Sequence, residues 1–198
     1  MRLGLDLRSL ATNELVEQAH QADHLGVWAV LVDSPLAAAE LATSTKHVHL
    51  ALFIDPTVEH ALTLAEEVAV LDHLSARRML AVVDSGRNNA STIGHDMRQL
   101  LGGHTVGDAT LAPPPAQTAV TVWQSDDVPI VALTGTLADD QAVIDELHDK
   151  GHTHVFAKCS GSIESFARHL VTRALTPDFP QIVADYADMI APLDPTAG

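Results

Sequence analysis

Short apolar runs alternate along this chain with longer stretches whose apolar residues recur three and four positions apart, and that rhythm begins at once. Leu3 to Leu7 predicts a strand. Glu14 to Leu25 predicts a helix, with Leu15, Ala19 and Ala22 at helical spacing. Gly26 stands where a residue tolerant of positive φ ends a helix. Val27 to Val32 is nearly all apolar and predicts a strand buried on both faces. Leu36 to Thr45 predicts a second helix and Val48 to Ile54 a third strand. Asp55-Pro56 predicts an N-cap followed by a first-turn proline, opening a helix that runs to about Ser75. Met79 to Val83 predicts a fourth strand and Ala90 to Leu101 a helix.

The rhythm breaks over 102–118, where Gly102-Gly103, Gly107 and Pro113-Pro114-Pro115 predict a loop too long for an ordinary connection. Ala119 to Trp123 and Pro129 to Leu133 then predict two short strands around Ser125-Asp126-Asp127. Thr136 to Asp139 has the form of a capping box, opening a helix to about Lys150 that Gly151 ends. Thr153 to Ala157 predicts the last strand, and Ser160-Gly161-Ser162 precedes a helix to about Ala174. A proline-bearing tail, 177–198, holds one further short helix over 181–190.

About seven strands alternating with helices predict one α/β domain over 1–198 with a mainly parallel sheet and helices outside it. Periodicity leaves open whether that sheet curls into a shortened TIM-type (β/α) barrel or stays open and doubly wound.

Composition narrows the partners. With 26 acidic and 11 basic residues the formal charge is −15, and the basic residues are scattered. Such a surface repels polyanions, so nucleic-acid binding and membrane-surface binding are not expected. No apolar run reaches spanning length and the N-terminus lacks a signal-peptide core, so a cytoplasmic location is expected. Cys159 is the one cysteine, which rules out an internal disulfide.

Three segments carry a family resemblance. Residues 60–78 read HALTLAEEVAVLDHLSARR. That run is similar to H-P-x-x-x-A-E-x-x-A-x-L-D-x-L-S-x-G-R, with Ala61 for the proline and Arg77 for the glycine. Residues 22–33, ADHLGVWAVLVD, resemble A-x-x-x-G-F-D-A-V-W-V-x. Residues 45–51, TKHVHLA, resemble T-S-R-I-R-L-G. In this order they resemble the bacterial luciferase-like flavin and deazaflavin oxidoreductases. Further on, only Val128 to Gly135 looks like the family's late P-I-x-I-x-G strand. The resemblance implies the barrel in place of the open sheet. It also implies a small-molecule substrate or ligand, flavin mononucleotide (FMN) or a deazaflavin coenzyme as cofactor, and a helix-mediated homodimer. Family members are longer, and the 102–118 loop stands in place of their middle region.

Barrel active sites collect at the C-terminal ends of strands. His60 matches a histidine common in the family and is the candidate proton donor or orienting group; Asp33, at the end of the second strand, is the other catalytic candidate. Phe53 and Ile54 match the third-strand bulge that supports the family's flavin ring. Asp84, Ser85 and Gly86 match the end of its fourth strand, usually G-V-G-x-G, of which Gly86 alone survives. Gly135-Thr136 and Ser160-Gly161 are candidate phosphate positions at helix starts, or plain N-caps. His20 and His24 have the spacing of a metal pair but no readable third ligand, so no metal site is expected. Asp72, Leu74, Ser75 and Arg78 fall at the barrel's far end and read as a structural turn and cap.

Two functions follow from the resemblance. One is an oxidoreductase that uses reduced flavin or deazaflavin for monooxygenation or hydride transfer. The other is a non-catalytic homologue, with no cofactor, that keeps the barrel and binds a ligand or a partner subunit. Phe53 and Asp84 stand where the family has small residues, which is the sequence's argument for the second.

Overall fold

The computed structural model describes residues 1–111, 120–134, 137–159 and 163–168. The elements run β1 (Arg2–Asp6), α1 (Thr12–His24), β2 (Ala29–Val32), α2 (Pro35–Ser44), β3 (His49–Ile54), α3 (Ala61–Leu74) and β4 (Met79–Val83). They continue with α4 (Ala90–Leu101), β5 (Thr121–Gln124), β6 (Ile130–Ala132), α5 (Leu137–Asp149), β7 (His154–Lys158) and α6 (Ile163–Phe166). The candidates Gly135, Thr136, Ser160 and Gly161, part of the 102–118 loop and the 177–198 tail lie outside the described residues.

All strand pairs are parallel, in the order β5-β4-β3-β2-β1-β7-β6. Read as a ring, this is the sequential order of a β/α barrel cut between β5 and β6. A doubly wound sheet would send the chain outward from a central strand. Here the chain re-enters at the far edge with β6 and works back through β7 to β1. The fold is therefore an α/β, incomplete TIM-type barrel.

Strand alternation builds two cores. Leu50, Leu52 and Ile54 of β3, with Met79, Ala81 and Val83 of β4, join the helices in the larger core. The opposite faces supply Ala29, Leu31, Ala51, Leu80, Val82 and Phe156 to a smaller core inside the barrel. That interior is tight because one wall is nearly side-chain-free: a Cβ on Gly4 would meet the Phe156 ring at 2.6 Å and the Ala29 carbonyl at 2.9 Å. Trp28 and Trp123 pack against the interior core at its edge.

The chain passes from β5 to β6 through residues 125–129 with no helix between them. Parallel neighbours need a long crossover. This short link instead spans the opening of the barrel, and its Val128 is buried in the interior.

One predicted boundary is corrected. Asp55-Pro56 does not start α3. Residues 55–60 form a separate turn in which Asp55 Oδ1 accepts hydrogen bonds from the Thr57 N–H (2.9 Å) and hydroxyl (2.6 Å). The helix then opens at Ala61 with His60 as its N-cap. Asp55 satisfies its own turn, so it is not free to cap the helix.

The N-terminal end of the barrel is tied by two side chains. Asp23, at the end of α1, accepts the N–H groups of Lys46 (2.9 Å), His47 (2.7 Å) and Val48 (2.7 Å) ahead of β3. Arg78, just before β4, donates to the carbonyls of Ser75, Val48, Ala42 and Thr45 and to the Thr45 hydroxyl. Asp72 and Ser75 are buried, and Asp72 accepts the Met79 N–H. The Asp72-to-Arg78 run is thus the turn and cap that its position predicts.

Candidate functional site

The C-terminal ends of the strands form one mouth. Side chains that point inward along a strand emerge there at its last position. For β1 that residue is Asp6 and for β3 it is Phe53. Asp33, Asp84 and Ser125 follow the ends of β2, β4 and β5, and Lys158 closes β7. Ile54, one residue past Phe53, is buried in the helix-facing core, so of the two bulge candidates only Phe53 faces the mouth.

The centre of this mouth is built by a residue absent from the sequence candidates. Arg8, in the turn after β1, grips Asp6 through two hydrogen bonds, Nε to Oδ1 and Nη2 to Oδ2, each 2.8 Å. Its guanidinium carbon lies 4.1 Å from the centre of the Phe53 ring. A bidentate carboxylate pair fixes the plane of the guanidinium, and stacking on an aromatic face is the other contact this group favours. The hydrogen bonds to Asp6 hold Arg8 above its ordinary pKa, and the charges of Asp6, Asp33 and Asp84 add to that. Sequence offered one signal for Arg8, an Asp-x-Arg spacing at a strand end. Only the strand register shows that it reaches β3.

Asp84 extends the β3–β4 ladder, its N–H donating to the Ile54 carbonyl at 2.9 Å, while its Oδ1 accepts the Gly86 N–H at 3.0 Å. Arg87 bridges Asp84 (3.4 Å) and, more loosely, Asp55 (3.7 Å). Ser85 donates its N–H to the Ser125 hydroxyl at 3.0 Å and shares a 2.7 Å hydroxyl contact with it. These bonds join the turns after β4 and β5. Gly86 has no positive φ, and a Cβ there would meet only the Asp84 carboxylate at 3.2 Å. Its backbone does not require glycine.

The two catalytic candidates do not converge. Asp33 is exposed and acts on Arg8 only through its charge. His60 is exposed, and its side chain makes no cap hydrogen bond to α3. Among the described residues no three His, Cys, Asp or Glu side chains gather as a metal site, and His20 and His24 gain no third ligand. Among them, too, no helix is long and apolar enough to cross a membrane.

A flavin or deazaflavin ring needs a flat, apolar surface that backbone or small side chains leave open. In this mouth the exposed face of Phe53 is covered by a guanidinium, the carboxylate of Asp84 stands on the neighbouring strand end, and Phe156 fills the space below against Gly4. The described residues do not fit such a ring as they stand.

No protein-family profile matches the chain, and no curated protein matches it. Solved structures do. EDTA monooxygenase (EmoA) from Chelativorans sp. BNC1 superposes with a TM-score of 0.54 at 12% identity, over 95% of this chain and 69% of that one. An F420-dependent secondary alcohol dehydrogenase, solved with an F420-acetone adduct, gives a TM-score of 0.55 at 14% identity, over 79% and 68%. This chain has the luciferase-like fold. Monooxygenase RslO1 from Streptomyces bottropensis matches at a TM-score of 0.46 and 19% identity, over 78% of this chain. The luciferase-like barrel described here spans 59% of the length of RslO1. Identities this low establish the shared scaffold and not a shared reaction.

Proposed function

We propose that this luciferase-like barrel is a non-catalytic homologue of the flavin and deazaflavin oxidoreductases, one that keeps their scaffold and associates with a second copy of itself. The observation that carries this reading is the Arg8 guanidinium stacked on Phe53 and clamped by Asp6, where a cofactor ring would need open space. Displacing it would strip a nearly buried carboxylate of its charged partner and leave it the Arg8 N–H alone, at a cost of about 1–3 kcal/mol before any cofactor contact forms.

For self-association, an apolar groove between α2 and α3 supports the reading. It has a volume of about 360 Å³ and is lined by Pro35, Ala39, Leu71, Val70 and Leu74, the last two 60% and 49% exposed, together with Thr63, Glu66 and Glu67. The helix-mediated dimer that the family resemblance implies would cover it. Sedimentation at micromolar concentration tests this: a dimer is expected, and Val70→Asp should return it to monomer. A protein that sediments as a monomer throughout contradicts the association.

A second reading is favoured by the breadth of the structural match, which spans nearly the whole chain against EmoA. On that reading the barrel is an oxidoreductase for a small molecule, Arg8 swings aside on its exposed turn, and a bound FMN or deazaflavin coenzyme would supply the redox chemistry. The visible spectrum of freshly purified protein separates the two. Flavin or deazaflavin absorbance co-purifying in stoichiometric amount supports the oxidoreductase.

A further inference from the structure

Along the interior edge of the barrel, two indoles and two imidazoles cluster, Trp28, His49 and His154 from the N-terminal ends of β2, β3 and β7 and Trp123 from within β5. The Trp28 ring lies 4.7 Å from His154, 5.6 Å from Phe156, 5.9 Å from Trp123 and 6.2 Å from His49, centre to centre. Trp123 lies 5.1 Å from His154. This cluster spans the cut in the sheet. Trp123 is on β5 and His154 on β7, while β5 and β6 are the two unpaired edges of the seven-stranded order. Backbone hydrogen bonds hold β5 on one side only, to β4. Toward β7 the described contact is aromatic.

We propose that Trp28, Trp123 and His154 form a pH-sensitive latch over the open seam, which holds β5 against β7 while His154 is neutral and loosens when His154 is protonated. A charge on the half-buried His154, set between two indoles, is partly desolvated, and the charged groups around it offer no compensation. These are Arg2 and the N-terminal amine around His154, and Arg2 and Arg78 around His49. All are positive. The remaining polar contacts are neutral: Thr153 Oγ1 lies 2.8 Å from His154 Nδ1, and the Trp28 carbonyl lies 3.2 Å from His49 Nδ1. Burial, with Arg2 and the terminal amine next, pushes His154 below the ordinary histidine value. His49 is pushed the same way by burial first, against a raising contribution from the Trp28 carbonyl. The latch acts on the strand edge that residues 125–129 connect across; its ring contacts include neither Arg8 nor Phe53, so it is tested separately from cofactor binding at the mouth.

The chain's two tryptophans are both in this cluster, so intrinsic fluorescence reports the latch alone. The test follows tryptophan emission and far-ultraviolet circular dichroism of the whole protein as pH is lowered from neutrality. The expected result is a red shift of emission with a midpoint below about 6.5, at constant helix and strand content. It should disappear in His154→Phe, which keeps an aromatic ring there without a proton to gain. If that variant does not fold, His154→Gln gives the same readout. Flat emission in the wild-type protein down to the loss of secondary structure overturns the proposal. So does an equal transition in the His154 variant.

Discussion

The guanidinium of Arg8, from the turn after β1, lies 4.1 Å above the ring of Phe53 at the end of β3, with β2 between the two strands. The Asp6 side chain that clamps it is only 8% exposed. Arg8→Ala removes both side-chain contacts and leaves the carboxylate only the N–H of residue 8, so it should lower stability by about 1–3 kcal/mol. Adding Asp6→Asn should recover part of that loss, because the unpaired charge is gone. Urea unfolding of the two single variants and the double variant measures the coupling. Additive losses would mean that the pair does not act as a unit.

Inside the barrel, Gly4 is required by space and not by its backbone angle. Gly4→Ala drives a Cβ into the Phe156 ring and the Ala29 carbonyl. Overpacking of this kind costs about 1–3 kcal/mol. Phe156→Leu in the same chain should restore part of it, since a smaller side chain then faces the new methyl. Thermal unfolding of the single and double variants checks this.

Much of this fold is legible in the sequence because each buried strand is a nearly pure apolar run bounded by a helix stop or a turn. Val27 to Val32 and Met79 to Val83 are clear cases. The ring order of the strands is not legible, since periodicity identifies strands without ordering them, and only the family resemblance pointed to a barrel. The mouth was half legible. Phe53 and Asp84 depart from the resembled pattern in the sequence itself, but Arg8 could not be found without knowing that the turn after β1 overhangs β3. His60 stands as the exposed N-cap of α3 for a local reason: Asp55 is spent on its own turn.

Arg78 ties α2, β3 and β4 together at the far end with five hydrogen bonds. Its planar fork is what lets one side chain reach four carbonyls, so lysine is no substitute. Arg78→Lys and Arg78→Met should both destabilise, the methionine variant by more than about 3 kcal/mol, since several carbonyls lose their donor at once. Chemical denaturation of both variants provides the comparison.

Asp23 gives the barrel an acid sensitivity of definite sign. Burial pushes its carboxyl up, but the N–H groups of Lys46, Val48 and His47 together outweigh burial and hold it below the ordinary value. A carboxyl depressed in the folded state contributes stability above its unfolded pKa, about 3.9, and loses it as pH falls through the folded value. Wild-type stability should therefore drop more steeply than that of Asp23→Asn as pH falls from about 5 toward 3. Parallel curves for the two proteins would show that the carboxylate charge is not what holds the β3 approach.

The Ala76-Arg77 turn stores strain, with φ of 54° and 68°. Side chains with a Cβ disfavour this left-handed region by about 1–2 kcal/mol per residue. Arg77→Gly puts in the glycine that the resembled pattern carries there and should raise stability by up to about 1 kcal/mol. A lower melting temperature in that variant would mean that Arg77's own contacts outweigh the backbone strain.

With Arg8 laid on Phe53, the mouth is proposed not to take a planar redox cofactor. Calorimetric titration of the purified protein with FMN and with the deazaflavin coenzyme, each oxidised and reduced, tests it most directly. No saturable binding of either is expected up to high micromolar concentration. Stoichiometric binding of either one in the low micromolar range, weakened by Phe53→Ala, would contradict it.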